Sequence, residues 1–304
     1  MKTPLYKIYY KYKEDMKMIQ IKDESKNIIS NSIKDRPAKF IIDEAYQNNL
    51  INKDSIICEV TSGNMGIALA NVCKLYGNKI IICMPKFVSK ERIDILNKLN
   101  VELILTDSFE EAFQKANEIS VNKNIYLTKQ FENINNADSY NTLVDEIKLQ
   151  TDLYPAFICG VGTGGTINGI GTRLKNSYNT KIFAIEPLQT KLLSTGISHG
   201  PHKIEGLSDG FIPSLYPKEI IDDIYSIDEN DAICIARKLN KELNLPVGIS
   251  SGANVVGAIL TGIDGIITVF PDNNSKYLST DLFNEQIKSD FAEEVEFLYY
   301  DIIE

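Results

Sequence analysis

The alternation of short apolar runs with amphipathic stretches is the feature that most constrains the fold. The apolar runs are rich in Ile and Val and predict strands at residues 55–60, 79–85, 101–106, 125–129, 156–161, 181–187 and 266–272. The stretches between them predict helices at residues 34–47, 64–75, 90–99, 109–119 and 228–239. Strands and helices that alternate this often indicate an α/β protein with twisted, mostly parallel sheets flanked by helices.

The chain length limits how many domains this pattern can build. At 304 residues the chain is long enough for two domains or one large domain. The Asn-rich polar segment 131–140 is the best candidate for a crossover between two domains. The segment 284–304 is acidic with interspersed aromatic residues, which fits an additional helix or strand and indicates no role.

Composition and charge exclude several classes of partner. Hydrophobic residues make up 43% of the chain and charged residues 24%, as in ordinary globular proteins. The formal charge of -9 opposes nonspecific binding to nucleic acid or to an anionic membrane. No apolar run reaches the roughly eighteen residues of a membrane-spanning helix, and the first residues contain no apolar signal segment. We therefore expect a cytoplasmic protein with no nucleic-acid or membrane partner.

The cysteines and histidines give no sign of a metal site. The five cysteines have no CxxC spacing and mostly lie in apolar runs, which predicts buried free thiols in a reducing compartment. The two histidines, His199 and His202, have no cysteine or carboxylate neighbours at ligand spacing. We therefore expect no bound metal.

A glycine-rich loop follows the predicted strand at 156–161 and precedes a predicted helix. Its residues are Gly162, Thr163, Gly164, Gly165 and Thr166. Glycines allow a tight turn that presents N–H groups to an anion, and the helix N-terminus adds partial positive charge. Because the threonine hydroxyls are further donors, the loop predicts a phosphate site. A tight turn without a ligand is the plain alternative.

The same loop also matches a dinucleotide-binding fingerprint. Gly160, Gly162 and Gly165 have the G-x-G-x-x-G spacing, and Glu186 ends a predicted strand about twenty residues later. A nicotinamide-dependent dehydrogenase is therefore a competing interpretation. Against it, the loop lies in the middle of the chain, and its threonine-flanked glycines suit a compact monophosphate. This interpretation also leaves Lys34 without a role.

Lys34 opens a predicted helix ahead of a strand and a polar turn. A lysine that loses hydration is readily shifted to its neutral, nucleophilic form, which can attack an aldehyde. The turn Thr61-Ser62-Gly63-Asn64 joins a strand to a helix. Its hydroxyls and amides can hold a carboxylate, and we call it the carboxylate turn. Together with the phosphate loop, these are the parts of a Schiff-base enzyme. Taken singly, Lys34 is an ordinary surface lysine and the turn an ordinary helix cap.

These motifs resemble those of the cysteine synthase and cystathionine β-synthase family of pyridoxal-phosphate (PLP) enzymes. The matching segments cover nearly the whole chain and are 3–5, 32–36, 61–64, 84–85, 89–92, 130–133, 162–166, 186–187, 202–206, 211–213, 250–253 and 276–280. The resemblance implies a homodimer of fold type II. Each subunit would have a smaller, mobile domain at 22–136 and a larger domain at 1–21 with 137–304.

The resemblance also implies a role for each matching residue. Lys34 carries the aldimine with PLP and, once the substrate displaces it, removes the α-proton. The other cofactor contacts are Asn64 on the ring hydroxyl, Gly162, Thr163, Gly164, Gly165 and Thr166 on the phosphate, and Asn273 near the pyridine nitrogen. The substrate contacts are Thr61, Ser62, Asn64, Met65 and Gln130. The β-substituent of a three-carbon amino acid leaves, giving an α-aminoacrylate to which a nucleophile adds.

Three departures from the family pattern lie beside these residues. Asn31 stands where the family has Gly, and Asn tolerates the left-handed backbone that Gly would supply. Met65 replaces a threonine and so removes one hydroxyl donor from the carboxylate turn. Asn273 replaces the serine that faces the pyridine nitrogen, and its amide can still donate one neutral hydrogen bond.

The fourth departure bears on the reaction. Asp209 stands in a crevice loop where cysteine synthases carry a small apolar residue. A carboxylate there repels a hydrosulfide anion but can accept a proton from water or a thiol. We therefore expect L-cysteine as the donor, release of hydrogen sulfide, and addition of water to give L-serine or of a thiol.

Two alternatives remain open beside the dehydrogenase. If Asp209 is only a turn residue facing solvent, synthesis of L-cysteine from O-acetylserine and sulfide is the better interpretation. A catalytically inactive protein that binds PLP and uses the fold as an interaction platform is the other. Lys34 and the carboxylate turn make that second alternative the weaker one.

Overall fold

A computed structural model of the chain describes residues 2–122 and 124–304. Its strands are β1 Leu5–Tyr12, β2 Asp15–Asp23, β3 Ile56–Val60, β4 Lys79–Pro85, β5 Glu102–Thr106, β6 Ile125–Leu127, β7 Ala156–Gly160, β8 Lys181–Pro187, β9 Thr190–Lys191, β10 Ile197–Ser198, β11 Asp223–Ile227, β12 Ile266–Phe270 and β13 Val295–Ile303. Its helices are α1 Asp35–Gln47, α2 Asn64–Tyr76, α3 Lys90–Lys98, α4 Phe109–Ser120, α5 Asn135–Asp138, α6 Asn141–Gln150, α7 Thr172–Tyr178, α8 Leu192–Thr195, α9 Glu229–Glu242, α10 Ile249–Thr261 and α11 Asp290–Glu294.

A seven-stranded sheet has the strand order β11–β8–β7–β12–β2–β1–β13. From β11 to β2 neighbouring strands are parallel, whereas β1 pairs antiparallel with β2 and with β13. Helices α9 and α10 cover one face, and α6 and α7 cover the other. The predicted strands at 156–161, 181–187 and 266–272 all lie here, which confirms that they are buried on both sides.

The strands β1, β2 and β13 were not predicted. Lysines at positions 7, 11 and 17 interrupt their apolar residues because parts of these strands face solvent. The acidic tail supplies β13, which forms the outer edge of the seven-stranded sheet beside β1. The tail also forms the short helix α11, so both elements that its composition left open occur.

A four-stranded, fully parallel sheet has the order β5–β4–β3–β6. Helices α1, α2 and α3 pack on one face and α4 on the other. All four strands had been predicted, although β6 ends at Leu127 and not at residue 129. The boundary of a mobile domain at 22–136 stays a prediction.

Two further sequence expectations can be compared with the structure. All five cysteines are buried free thiols, as predicted. Within residues 2–122 and 124–304, no helix is both long enough and apolar enough to cross a bilayer.

Candidate active site

The carboxyl ends of strands from both sheets surround one cavity, as expected for parallel α/β sheets. The segments that follow β3, β7 and β12 line this cavity. The predicted site residues that line it are Lys34, Thr61, Ser62, Asn64, Met65, Gln130, Gly162, Thr163, Gly164, Thr166 and Asp209. Residues separated by up to 175 positions in the sequence (34 to 209) therefore meet at one place.

Lys34 directly precedes α1 and is held there by the segment that follows β12. The Ile33 N–H donates to the carbonyl of Pro271 at 2.7 Å, and Ser32 forms an isolated bridge with Asp272. Asn31 has a φ of 55°, which confirms that this position needs the left-handed backbone. These contacts direct the chain so that Lys34 faces the cavity.

The cavity shifts the pKa values of Lys34 and Asp209 in opposite directions. Burial lowers the pKa of Lys34, and the charges of Asp209, Cys159 and Asp272 oppose that shift. Burial raises the pKa of Asp209 to about 6, while Lys34 opposes the rise. A lower amine pKa favours a nucleophile, and a carboxyl that titrates near neutrality suits a general base.

The carboxylate turn depends on Gly63. Its φ is 150°, and a Cβ atom at this position would lie 2.2 Å from Cδ of Arg92. The Gly63 N–H donates to Thr61 Oγ1 at 3.0 Å, which shapes the turn. Helix α2 begins at Asn64, so its free N-terminal amides and the Ser62 hydroxyl are available to an anion.

A buried group beside Asn64 was not among the predicted site residues. The Asn64 amide donates to Asp272 Oδ2 at 2.8 Å, and the Tyr277 hydroxyl donates to the same oxygen at 2.9 Å. The guanidinium of Arg92 lies 4.7 Å from the centre of the Tyr277 ring and pairs with Glu205. The sequence signal for this group was the position of Asp272, which follows the apolar run and Pro271 directly.

The glycine-rich loop leaves no room for side chains where its backbone meets other loops. A Cβ atom at Gly162 would lie 2.1 Å from the carbonyl oxygen of Gly206. Gly164 has a φ of 83°, and a Cβ atom there would lie 2.8 Å from the Tyr216 nitrogen. Gly165 packs against Asn136, whose amide donates to Thr163 Oγ1 at 3.1 Å. Gly165 is not among the residues that line the cavity.

These residues fit the phosphorylated pyridine aldehyde that the resemblance implies. Lys34 supplies the amine, and the glycine loop supplies backbone donors for a phosphate. Asn64 Oδ1 is buried and has no hydrogen-bond partner among the described residues, so a ligand hydroxyl would satisfy it. The cofactor roles of individual residues stay predictions.

Asn273 is not among the residues that line the cavity. Its side-chain oxygen accepts hydrogen bonds from the Ser275 N–H at 3.1 Å and from Ser275 Oγ at 2.5 Å. That oxygen is therefore used in a local turn, and contact of Asn273 with the pyridine nitrogen stays a prediction.

Glu186, the acidic residue of the dinucleotide interpretation, is fully buried. Its carboxyl group accepts hydrogen bonds from the Leu193 N–H at 2.8 Å and from Ser226 Oγ at 3.1 Å. These contacts tie strand β8 to helix α8 and to the neighbouring strand β11.

The chain is similar to known enzymes over nearly its full length. The family model for pyridoxal-phosphate dependent enzymes matches residues 1–269. Cysteine synthase B of Campylobacter jejuni is 41% identical over 265 residues, which cover 84% of this chain and 88% of that protein.

Solved structures extend this similarity to the fold. A hydrogen sulfide-producing enzyme from Fusobacterium nucleatum has a TM-score of 0.93 and 38% identity, covering 99% of this chain and 95% of that chain. An aspartate-to-asparagine variant of that enzyme, complexed with an α-aminoacrylate intermediate, has a TM-score of 0.92 and 39% identity, with coverages of 97% and 94%.

Family membership replaces the dehydrogenase interpretation of the glycine loop. The chain belongs to the pyridoxal-phosphate dependent enzymes, within the family of cysteine synthases and cystathionine β-synthases, and PLP is its cofactor.

Proposed function

We propose that this enzyme takes L-cysteine as donor, releases hydrogen sulfide from its β-carbon, and adds water or a thiol there with Asp209 as general base. With water the balance is L-cysteine plus water giving L-serine plus hydrogen sulfide. The chemistry is replacement at the β-carbon of an amino acid, which is the chemistry of this family. When bound, PLP supplies the electron sink for the bonds that break at the substrate.

Different side chains of the cavity bind the substrate and transfer protons. Thr61, Ser62 and Gln130 hold the substrate carboxylate, which orients the α-carbon. Lys34 takes the α-proton through its Nζ atom, because burial lowers the pKa of this amine and so raises its neutral fraction. The proton that the departing sulfide needs comes from the protonated Lys34.

The carboxyl group of Asp209 in the same cavity as Lys34 is the observation that carries the choice of donor. Its pKa of about 6 leaves the group ionised at neutral pH and still basic enough to accept a proton from water or a thiol. The same negative charge disfavours entry of a hydrosulfide anion. Similarity to a hydrogen sulfide-producing enzyme supports the same direction.

The substitution Asp209→Asn tests the proposal. We expect steady-state sulfide release from L-cysteine to fall by about 10²–10⁴-fold, the usual contribution of a general base. The first turnover should still release one sulfide per site, because Lys34 starts the reaction without Asp209. Rapid-mixing sulfide measurements separate the two phases, and the visible absorbance of bound PLP serves as a folding control. A steady-state rate equal to that of the unsubstituted enzyme would refute the role of Asp209.

Synthesis of L-cysteine from O-acetylserine and sulfide is the second candidate, favoured by the 41% identity to a cysteine synthase. Parallel assays with L-cysteine alone and with O-acetylserine plus sulfide distinguish the two reactions. A kcat/KM that is higher for the second pair would replace the proposed function with this one. The homodimer and the cytoplasmic location remain predictions.

A further inference from the structure

The predicted carboxylate-binding residues Thr61, Ser62 and Gln130 follow the neighbouring strands β3 and β6, which separate just before these residues. The Thr128 N–H still donates to the Cys58 carbonyl at 3.0 Å, as in a continuing β-ladder. Lys129 then adopts a φ of 56°, which is uncommon for a residue with a side chain and often marks a functional site. Gln130 therefore leaves the ladder and reaches the cavity.

Side chains replace the backbone hydrogen bonds that are lost there. The Gln130 N–H donates to Glu59 Oε2 at 3.0 Å, and the Gln130 side-chain amide donates to the Val60 carbonyl at 2.6 Å. The second oxygen of Glu59, Oε1, accepts the Val60 N–H at 2.7 Å. The carboxyl group of Glu59 thus joins Gln130 to the strand that leads directly into Thr61.

Glu59 is 1% exposed, and none of the described basic side chains forms an ion pair with it. A buried carboxylate without a cation is costly, so its presence needs a reason. The titratable groups near it are Glu132, Tyr126, Cys58 and Cys83, none of them cationic. Burial raises the pKa of Glu59 to about 7 against the effect of its three hydrogen bonds.

The hydroxyl group of Thr128 is placed to accept a hydrogen bond from a protonated Glu59. This hydroxyl lies 2.5 Å from Glu59 Oε2 and 3.1 Å from the Cys58 carbonyl, and both are acceptors when Glu59 is ionised. One hydroxyl hydrogen cannot satisfy both acceptors at once, and the Cys58 carbonyl also accepts the Thr128 N–H at 3.0 Å. If Glu59 is protonated, it donates to Thr128 Oγ1 while Thr128 donates to Cys58, and both contacts are satisfied.

We propose that Glu59 is a positioning residue for substrate binding, and that its protonated form holds Gln130 and the Thr61–Ser62 turn in the geometry that binds the substrate carboxylate. An ionised Glu59 would add a buried negative charge behind that anion. Substrate binding therefore favours the protonated acid. The inference rests on the amino-acid substrate of the proposed function and does not depend on which donor is used.

Three variants of the full-length holoenzyme test this role. Glu59→Ala should raise KM for the amino acid roughly tenfold or more, as expected for loss of a group that orders several hydrogen bonds, with kcat within about twofold. Glu59→Gln removes the charge at every pH but sets an NH₂ group against one backbone N–H, so its KM should be raised by a factor that does not change with pH. Glu186→Gln is the matched control, because Glu186 is equally buried and bonded to hydroxyls but does not line the cavity. Its KM should not change.

The pH profile separates positioning from a merely structural role. KM of the unsubstituted enzyme should rise above pH 7 by up to tenfold per pH unit as Glu59 ionises, and the ratio of this KM to that of Glu59→Gln should carry the whole effect. A ratio of the two KM values that stays constant from pH 6 to pH 9 would overturn the proposal. A KM of Glu59→Ala equal to that of the unsubstituted enzyme would also overturn it. If Glu59→Ala does not fold, the Glu59→Gln profile alone decides.

KM can be measured with either L-cysteine or O-acetylserine. Absence of turnover with L-cysteine would therefore overturn the proposed function, while the test of Glu59 would continue with O-acetylserine.

Discussion

At the residue scale, two ionisable groups in one cavity are tuned by the same cause. Removal from water favours the neutral form of each, so the pKa of Lys34 falls and the pKa of Asp209 rises. The opposite charge on the partner limits both shifts. The result is an amine with a lowered pKa beside a carboxyl that titrates near pH 6, a combination that suits general acid–base catalysis.

The pKa of Asp209 predicts that kcat for sulfide release decreases at acidic pH. The base must be ionised, so kcat for sulfide release should fall about tenfold per pH unit below pH 6. Steady-state rates between pH 5 and pH 8 measure this decrease. The residual rate of Asp209→Asn should lack it, and a decrease that persists in that variant would assign the titration to another group.

Asp209 should also lower stability at neutral pH. Because its folded-state pKa lies above the unfolded value, the stability it contributes is complete below pH 3.8 and is lost as pH rises to about 6. Asp209→Asn should therefore unfold at a higher urea concentration than the unsubstituted enzyme at pH 7 and at the same concentration at pH 4. Equal midpoints at both pH values would contradict burial of this charge.

At the element scale, the unit formed by β7, the glycine loop and α7 is predicted to bind the cofactor phosphate through its backbone. The loop passes so close to Gly206 that a side chain at Gly162 has no space. Its amides can reach a phosphate only while that close contact is kept. The chemistry of this element therefore lies in its shape more than in any one side chain.

Gly162→Ala tests the importance of that shape. The added methyl group would lie 2.1 Å from a backbone oxygen, so the loop must move, and affinity for PLP should fall at least tenfold, on the order of 1.4 kcal/mol. Gly171→Ala is the control, since its nearest neighbour is a side-chain methyl group of Ile182 at 3.0 Å and no backbone atom. Titration of cofactor-free protein with PLP, followed by absorbance, measures both. Equal affinities would show that the loop does not carry the phosphate.

At the scale of the whole molecule, a buried charge network ties the N-terminus, β2, α1 and α6 together. Arg36 Nε lies 2.6 Å from Glu24 Oε2, and Arg36 Nη1 lies 2.8 Å from Glu146 Oε1. Lys22 pairs with Glu146 at 2.8 Å. Burial would raise the pKa of Glu146, but Arg36 and Lys22 outweigh it and lower this pKa. The network fixes α1, whose preceding residue is Lys34.

Arg36→Met should destabilise the whole molecule by about 3–5 kcal/mol, because it leaves the buried Glu24 without its cation and Glu146 with Lys22 alone. Arg173→Met is the surface control, since its pair with Asp145 is partly exposed and should contribute at most about 1 kcal/mol. Urea unfolding at pH 7 measures both. The Arg36 effect should shrink as pH falls below about 4.5, where Glu146 loses the stability gained from its lowered pKa. Equal losses in the two variants would show that burial adds nothing to this pair.

The sequence alone determined the apolar parallel strands β3, β4, β7, β8 and β12 and the helices α1, α2, α3, α4 and α9, because burial gives a periodic apolar pattern that needs no partner to be recognised. Helices α6 and α10, which cover the larger sheet, were not among the predicted helices. Ordered motifs likewise identified Lys34, the carboxylate turn and the glycine loop. The hairpin β1–β2 and the edge strand β13 escaped this pattern because polar residues on their exposed parts interrupt it.

Only the tertiary structure decided which carboxyl groups are tuned for chemistry. In the sequence, Asp272 and Glu59 are ordinary acidic residues and Asp209 is a departure from the family pattern. The shifted pKa values of Asp209 and Glu59 and the hydrogen bonds of Asp272 depend on residues up to 208 positions away. Periodicity records whether a side chain is buried, whereas electrostatic environment depends on which distant groups share that burial. Local sequence patterns therefore determine much of the fold, whereas the acid–base chemistry of the cavity depends on long-range contacts.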